Sequence, residues 1–213
     1  SPIVVWWPHS VPENPGEDSI GRIAQRRITD SARAYDPMAV LTHLSEVYQA
    51  GDSDLAWTRL TLWRTQLAAL LEQMPDSPVK RVVVWGSEKS PSVVLLGAWL
   101  GWKLEAEVHL ATIGAAERGL YRVAIEREDG QTIMFRPGKN IAIIETPYTP
   151  DQQIPLPVRT LADCISEELR RLDPDTMYGE VLKSAFPTLE MHPAQCDAEP
   201  FLDTSEFPEV FDA

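Results

Sequence analysis

The 213-residue chain reads as an α/β protein, a mixed sheet with an antiparallel meander and helices packed on its faces. Three observations predict it. Residues 81–85, Arg-Val-Val-Val-Trp, form a Val-rich run without alternation, as expected of a central strand covered on both faces. Residues 121–145 alternate apolar and polar and are interrupted by Asp129-Gly130 and Pro137-Gly138, the punctuation of hairpin turns. Around these segments apolar residues recur at helical spacing, most clearly at Leu60, Trp63, Leu67, Leu70, Leu71 and Met74.

In chain order, residues 2–7 are a short apolar run stopped by Pro8, which fits a buried strand. Ile20, Ile23, Ala24 and Arg27 suggest a short amphipathic helix that ends in an extended segment over 28–31. Asp36-Pro37 is a helix start, with Asp as cap and Pro in the first turn, and Val40, Leu41, Leu44, Val47 and Tyr48 make its apolar face. The next helix is expected from Ser53 or Asp54 to about Met74, ended by Pro75 and Pro78, with Arg59 and Arg64 on its polar face. After the central strand, Ser90-Pro91 opens a helix over 93–103, and residues 105–112 can form a strand. Strands over 121–127, 132–136 and 141–145 make the meander. A proline-rich connector, 147–157, leads to a helix whose shared face is Leu161, Cys164, Ile165, Leu169 and Leu172, and Asp173-Pro174 opens one more to about Phe186. Residues 1–190 are expected to form one domain and 191–213 an acidic tail, because 197–213 hold six acids, no base and three Phe, a composition that orders against a partner surface.

Hydrophobic residues make up 44% of the chain and charged residues 24%, enough for a core without staples. The net charge of −13 disfavours nucleic acid and anionic membranes. The longest apolar run, 93–102, is too short to cross a bilayer, and two cysteines are too few for a disulfide framework, so a reducing cytoplasm is the expected home. The start at Ser1-Pro2-Ile3 reads as a fragment boundary rather than a targeting signal.

Sites for chemistry are sparse. Residues 85–90 join a strand to a helix where phosphate loops occur, but lack the G-x-x-x-x-G-K-[ST] spacing; the alternatives are a phosphate site and a plain connection. G-x-G-x-x-G and G-x-S-x-G are absent, and His9, His43, His109 and His192 show no metal-ligand spacing, so no catalytic residue, cofactor or metal is expected. Acidic pairs such as Glu167 and Glu168 read as a solvated helix face. Cys164 is expected in the core and Cys196 exposed. What stands out is tryptophan beside arginine: Trp57, Arg59, Trp63 and Arg64, with Trp6-Trp7 as a second aromatic cluster. Trp63 lies on the apolar stripe, whereas Trp57, Arg59 and Arg64 cannot all face inward from one helix, so part of the set is expected at a partner surface. Arg22, Arg26, Arg27 and Arg33 are the basic cluster of an acidic chain, open to a partner, an anionic ligand or solvent. The candidate interface is therefore Trp57, Arg59, Arg64, Arg26 and Arg27 with Phe201, Phe207 and Phe211 of the tail.

The segment Asp54-Leu55-Ala56-Trp57-Thr58-Arg59-Leu60-Thr61-Leu62-Trp63-Arg64 resembles the D-L-x-W-x-R-L-T-x-W-R stretch of the OpcA family, the glucose-6-phosphate dehydrogenase assembly proteins. Arg26-Arg27-Ile28-Thr29-Asp30-Ser31 is similar to the family's R-x-I-x-D-S, Val5-Trp6-Trp7-Pro8 to its aromatic entry strand, and Leu95-Leu96-Gly97-Ala98-Trp99-Leu100 to its L-L-x-x-W-L helix. Leu62 stands where many members carry Pro, which should leave that helix less bent. The resemblance implies the C-terminal domain of such a protein. It also implies a non-enzymatic role: binding glucose-6-phosphate dehydrogenase, promoting its active oligomer and supporting NADPH production in the oxidative pentose phosphate pathway, notably in oxygenic photosynthetic bacteria. The alternative is a sugar-phosphate-binding enzyme or sensor on the same scaffold, using 86–90 and the arginines near Asp30-Ser31.

Overall fold

Two sheets organise the chain, whose computed structural model describes residues 2–74, 77–112 and 119–194. The smaller is parallel, β1 (Val4–Trp6), β2 (Arg26–Thr29) and β3 (Asp52–Asp54), with β2 in the middle. The larger comprises β4 (Arg81–Trp85), β5 (Glu107–Ala111), β6 (Arg122–Arg127), β7 (Gly130–Phe135), β8 (Ile141–Glu145), β9 (Gln152–Pro155) and β10 (Met191–Pro193) in the order β10-β5-β4-β6-β7-β8-β9. Its β10-β5-β4 portion is parallel and the rest is the antiparallel meander. The predicted mixed sheet is therefore present, with β4 inside it and Val82, Val83, Val84 and Trp85 all buried.

Helix α1 (Pro37–Val47) starts as its cap predicts, the Asp36 carboxylate accepting from the Ala39 N–H, and buries Leu41 and Leu44. α2 (Leu55–Thr58) and α3 (Thr61–Glu72) follow, then α4 (Pro91–Leu104). The face of α4 toward β4 and β5 and the face toward α1 and α2 are both covered, which is why an unbroken apolar run suits it. A Cβ at Gly101 would come 2.5 Å from Val108, so the glycine lets this helix lie close on β5. Gly130 has φ of +139°, the left-handed backbone that the β6–β7 hairpin turn demands. α5 (Leu161–Arg170) opens with a capping box between Thr160 and Asp163. α6 (Thr176–Glu180) runs on through a π-helical turn, Val181–Ala185, into the core. No described helix is long and apolar enough to cross a membrane.

Several expectations need correction. β1 is an edge strand, its Trp6 exposed, because only β2 covers its flank. The helix expected around 18–27 is a single 3-10 turn, Gly21–Ile23, followed by β2; Ile20 and Ile23 face solvent. The helix expected over 53–74 is a strand and two helices. Its first residues pair with β2 as β3, and the helical path breaks at Arg59 and Leu60, although Leu62 is not proline. Ser90 makes no side-chain cap bond. The 147–157 connector contains β9, and on α5 Leu169 is exposed together with Leu172 beyond its end, while Glu168 is buried.

Candidate functional site

The small sheet is lined with charge. All four residues of β2 and all three of β3 are buried, and Ile28 is the one apolar side chain among them. Burying an ion costs several kcal/mol unless a partner and hydrogen bonds compensate, so each charge here needs a full set of hydrogen bonds or a counter-charge.

α5 supplies one. Its inward positions are Leu161, Cys164, Ile165 and Glu168, a helical stripe whose last member is a carboxylate. Glu168 ion-pairs with Arg26, a guanidinium with no exposed surface, and its other oxygen accepts from Thr58 Oγ1 at 2.6 Å. Arg26 also donates to the Asp173 carbonyl at 2.6 Å. On the opposite face of β2, Arg27 pairs with Asp52 and donates to the Ala24 and Ala50 carbonyls at 3.0 and 2.7 Å.

Asp54 is the hinge between β3 and α2. One oxygen accepts from Thr29 Oγ1 (2.7 Å) and the Ser31 N–H (2.9 Å), the other from Ser31 Oγ and the Ala56 N–H, both at 2.9 Å. Burial pushes its carboxyl above the usual carboxylate range, with the nearby Asp30 adding to the rise and the hydrogen bonds opposing it. Asp30 in turn takes a two-pronged bond from Arg59, at 2.8 and 2.7 Å. Arg159 pairs with Glu167, which also accepts from Thr61 at 2.8 Å.

The tryptophan and arginine positions gather here, but on the inside. Trp57 is 1% exposed and donates its indole N–H to Asp175, which also pairs with Arg171. Across the break at Arg59 and Leu60, the Arg64 guanidinium of α3 stacks on the Trp57 ring of α2, 3.8 Å from its centroid. Trp57 turns wholly inward, and Arg59 and Arg64 gather beside it while keeping part of their surface. Arg26, Arg27 and Trp57 leave no appreciable surface. Arg59 and Arg64 are part-buried, and Phe201, Phe207, Phe211 and Cys196 lie outside the described residues. Trp63 is in the core as its stripe position predicts. Cys164 is wholly buried beside Ile28 and Leu55, and that burial raises its thiol pKa.

Arg64 differs from its neighbours. It meets the Trp57 ring and Thr61 Oγ1 at 3.4 Å, and no carboxylate is paired with it among the described residues. Desolvation lowers its pKa to about 10. Arg136 is likewise lowered to about 10 by burial, near Trp63.

Glu168, Glu167, Asp52, Asp54 and Asp175 are the site residues that sequence patterns missed. The reading of Glu167 and Glu168 as a solvated face is corrected by their bonds to Arg159 and Arg26. A signal existed for Glu168: it continues the 161, 164, 165 stripe at the position where the next apolar residue belongs. At the connection after β4, a Cβ on Gly86 would meet Val93 at 2.5 Å, so close loop-to-helix packing accounts for that glycine.

What these elements define is an α/β domain whose polar strands are locked to its helices by arginine–carboxylate pairs. Residues 50–182 match the family model for the C-terminal domain of the glucose-6-phosphate dehydrogenase subunit, and residues 1–46 match the model for its N-terminal domain. The chain belongs to the OpcA family of glucose-6-phosphate dehydrogenase subunits. It carries matches to both domains, where the C-terminal one alone is expected from the motifs. No curated protein matches the chain. Among solved structures, a 3-ketoreductase, KijD10, from Actinomadura kijaniata in complex with TDP-benzene and NADP is similar at 10% identity, over 90% of this chain and 79% of that one, with a TM-score of 0.49. A Gfo/Idh/MocA family oxidoreductase from Vibrio cholerae is similar at 13% identity, over 76% of this chain and 67% of that one, with a TM-score of 0.31. Likeness of this degree carries no weight for chemistry.

Proposed function

We propose that the chain is a non-catalytic assembly partner and allosteric activator of glucose-6-phosphate dehydrogenase, acting in the cytoplasm to support NADPH production in the oxidative pentose phosphate pathway. The observation that carries this reading is the pair of matches, over 1–46 and 50–182, to domains named for a subunit of that enzyme. The geometry agrees with it: the carboxylates that converge at the small sheet are held by arginines, an arrangement suited to rigidity rather than to proton transfer. Activation requires that the chain bind one oligomeric or conformational state of the enzyme better than another.

Arg64 is the proposed contact. Stacking on Trp57 holds it in place before binding, and its fork has no carboxylate of its own among the described residues, so an acidic side chain of the enzyme would complete it. The acidic segment bearing Phe201, Phe207 and Phe211 is proposed as a second contact on its composition. Trp57 supports the contact from behind, its ring under the guanidinium.

Mixing the chain with the dehydrogenase should raise the rate of NADPH formation and give co-elution on a sizing column. An unchanged rate with separate elution would sink the reading. Arg64→Ala should weaken the complex by about 1–3 kcal/mol while the free chain stays folded. Full affinity in that variant would move the contact elsewhere.

A further inference from the structure

The carboxyl ends of β1 and β2 open into a cavity of about 230 Å³, which touches the buried ion pairs only at Asp30 and is lined in part by Trp7, His9, Ser10, Asp30, Arg33 and Tyr35. In open parallel sheets, ligands are bound in the crevice beyond the carboxyl ends of the strands, because the loops that follow the strands converge there. Both loops do so here. Trp7 to Val11 continue from β1, and Asp30 to Tyr35 continue from β2.

The wall is built. Gly21 folds the 8–24 loop back against the strand ends: a Cβ there would come 1.8 Å from the Pro15 carbonyl oxygen and 3.3 Å from the Trp7 ring. The His43 ring bonds the Glu13 carbonyl at 2.5 Å and fastens the same loop to α1. Trp7 donates its backbone N–H to the Ile28 carbonyl at 3.1 Å, which sets the start of the cavity wall against β2.

The charge is one-sided. Asp30 lines the cavity, but both its oxygens are taken by Arg59, so its negative charge is already matched. Arg33 is exposed at the mouth, and its side chain makes no ion pair or hydrogen bond within the described residues. Ser10, Tyr35 and His9, all exposed, also line the cavity. A fork of N–H donors without a carboxylate of its own, in a cavity whose lining also carries hydroxyl groups, suits a phosphate or sulfate group. An indole beside it offers an apolar face to the C–H side of a sugar ring. The volume is below the roughly 300–1,000 Å³ of pockets for drug-sized ligands, and so restricts the occupant to something of monosaccharide size.

We infer that this cavity binds a small phosphorylated sugar, with Arg33 on the phosphate and Trp7 against the ring. The site belongs to the chain itself and does not depend on the dehydrogenase, so it goes beyond the proposed activation and stands or falls separately.

Isothermal titration of the chain alone tests it with three probes: a hexose 6-phosphate, the same hexose without phosphate, and inorganic phosphate. The phosphorylated hexose should bind, the free hexose should bind at least ten-fold more weakly, and inorganic phosphate should lie between. Arg33→Ala should lose at least ten-fold for the phosphorylated hexose, and Trp7→Ala should lose affinity for it while leaving inorganic phosphate unchanged. Arg22→Ala, which removes an exposed arginine paired with Glu17 away from the cavity lining, should change nothing. Absence of heat with the hexose phosphate at millimolar concentration overturns the proposal. So does unaltered binding in Arg33→Ala, or an equal loss in Arg22→Ala, which would mark general attraction of anions.

Discussion

The two sheets solve the same problem with opposite physics. Around the seven-stranded sheet, α4 and the meander bury Val82, Val84, Leu95, Leu96, Leu100, Val123, Ile125 and Ile144 in one apolar cluster, whose stability is non-directional and scales with the area removed from water. Around the three-stranded sheet, Arg26, Arg27, Asp30, Asp52 and Glu168 are buried in ion pairs and Asp54 among four hydrogen-bond donors, so stability depends on each polar group finding its mate. The apolar cluster tolerates approximate shapes, while the ionic one specifies a single arrangement.

The ionic pairs also have a direction along the chain. Arg26, Arg27, Thr29, Asp30 and Ser31 lie within 1–46, the stretch matched by the N-terminal domain model, whereas Glu168, Asp52, Asp54 and Arg59 lie within 50–182, the stretch matched by the C-terminal one. The buried pairs of β2 and the turn after it therefore join the two matched stretches. This places the specificity of a charged network where two parts of a chain must meet in one register.

Breaking one charge of that network should have the largest effect. Glu168→Ala leaves Arg26 buried without its counter-charge and is expected to cost about 3–5 kcal/mol in urea unfolding. The double variant Arg26→Met with Glu168→Leu should recover most of that loss, because neither charge remains to be matched. If the double variant is as unstable as the single one, the network is held by more than its charges. Leu100→Ala in the apolar cluster should cost about 2–5 kcal/mol by leaving a cavity, and its effect should add to that of Glu168→Ala if the two regions are independent.

A smaller effect is expected at Asp54. Each of its oxygens accepts one backbone N–H, from Ser31 or from Ala56, so Asp54→Asn turns an amide N–H₂ toward one of those donors whichever way it is oriented. The expected loss is about 1–3 kcal/mol, measured by the same unfolding experiment. A loss below a few tenths of a kcal/mol would mean that the β3 to α2 junction rearranges around the amide.

Legibility in the sequence divides along the same line. The Val run of β4, the Asp129-Gly130 turn and the Asp36-Pro37 cap are local signals, and each produced the element it predicts. β3 is Asp-Ser-Asp and contains no apolar residue, so pattern logic assigns its end to a helix; what makes it a strand is pairing with β2, more than twenty residues earlier. Arg26 and Glu168 are 142 residues apart, and nothing near either announces the other. Trp57 and Arg64 were visible as unusual, but their burial depends on partners far along the chain: Asp175 accepts from the Trp57 indole, Asp30 holds Arg59, and Arg159 donates to the Thr58 carbonyl at 2.9 Å. Local composition marks the residues of this site; tertiary charge matching decides which way they face.

The finest distinction concerns Arg64, the member of the polar region without a carboxylate among the described residues. Its pKa falls to about 10 on folding, below the usual guanidinium range, so the unfolded chain holds that proton more tightly than the native one. The resulting penalty is present in full well below pH 10 and is relieved as pH rises through about 10. Comparing wild type with Arg64→Met removes the titration of every other group. The difference in unfolding free energy should shift by about 1 kcal/mol in favour of wild type between about pH 9 and 11. A partner carboxylate seated on the guanidinium reverses the preference, since it binds the charged form. The affinity of the wild-type chain for the dehydrogenase should then fall across the same pH interval more steeply than that of Arg64→Met. Parallel affinity profiles for the two chains would remove Arg64 from the contact, while the unfolding comparison would still report its burial.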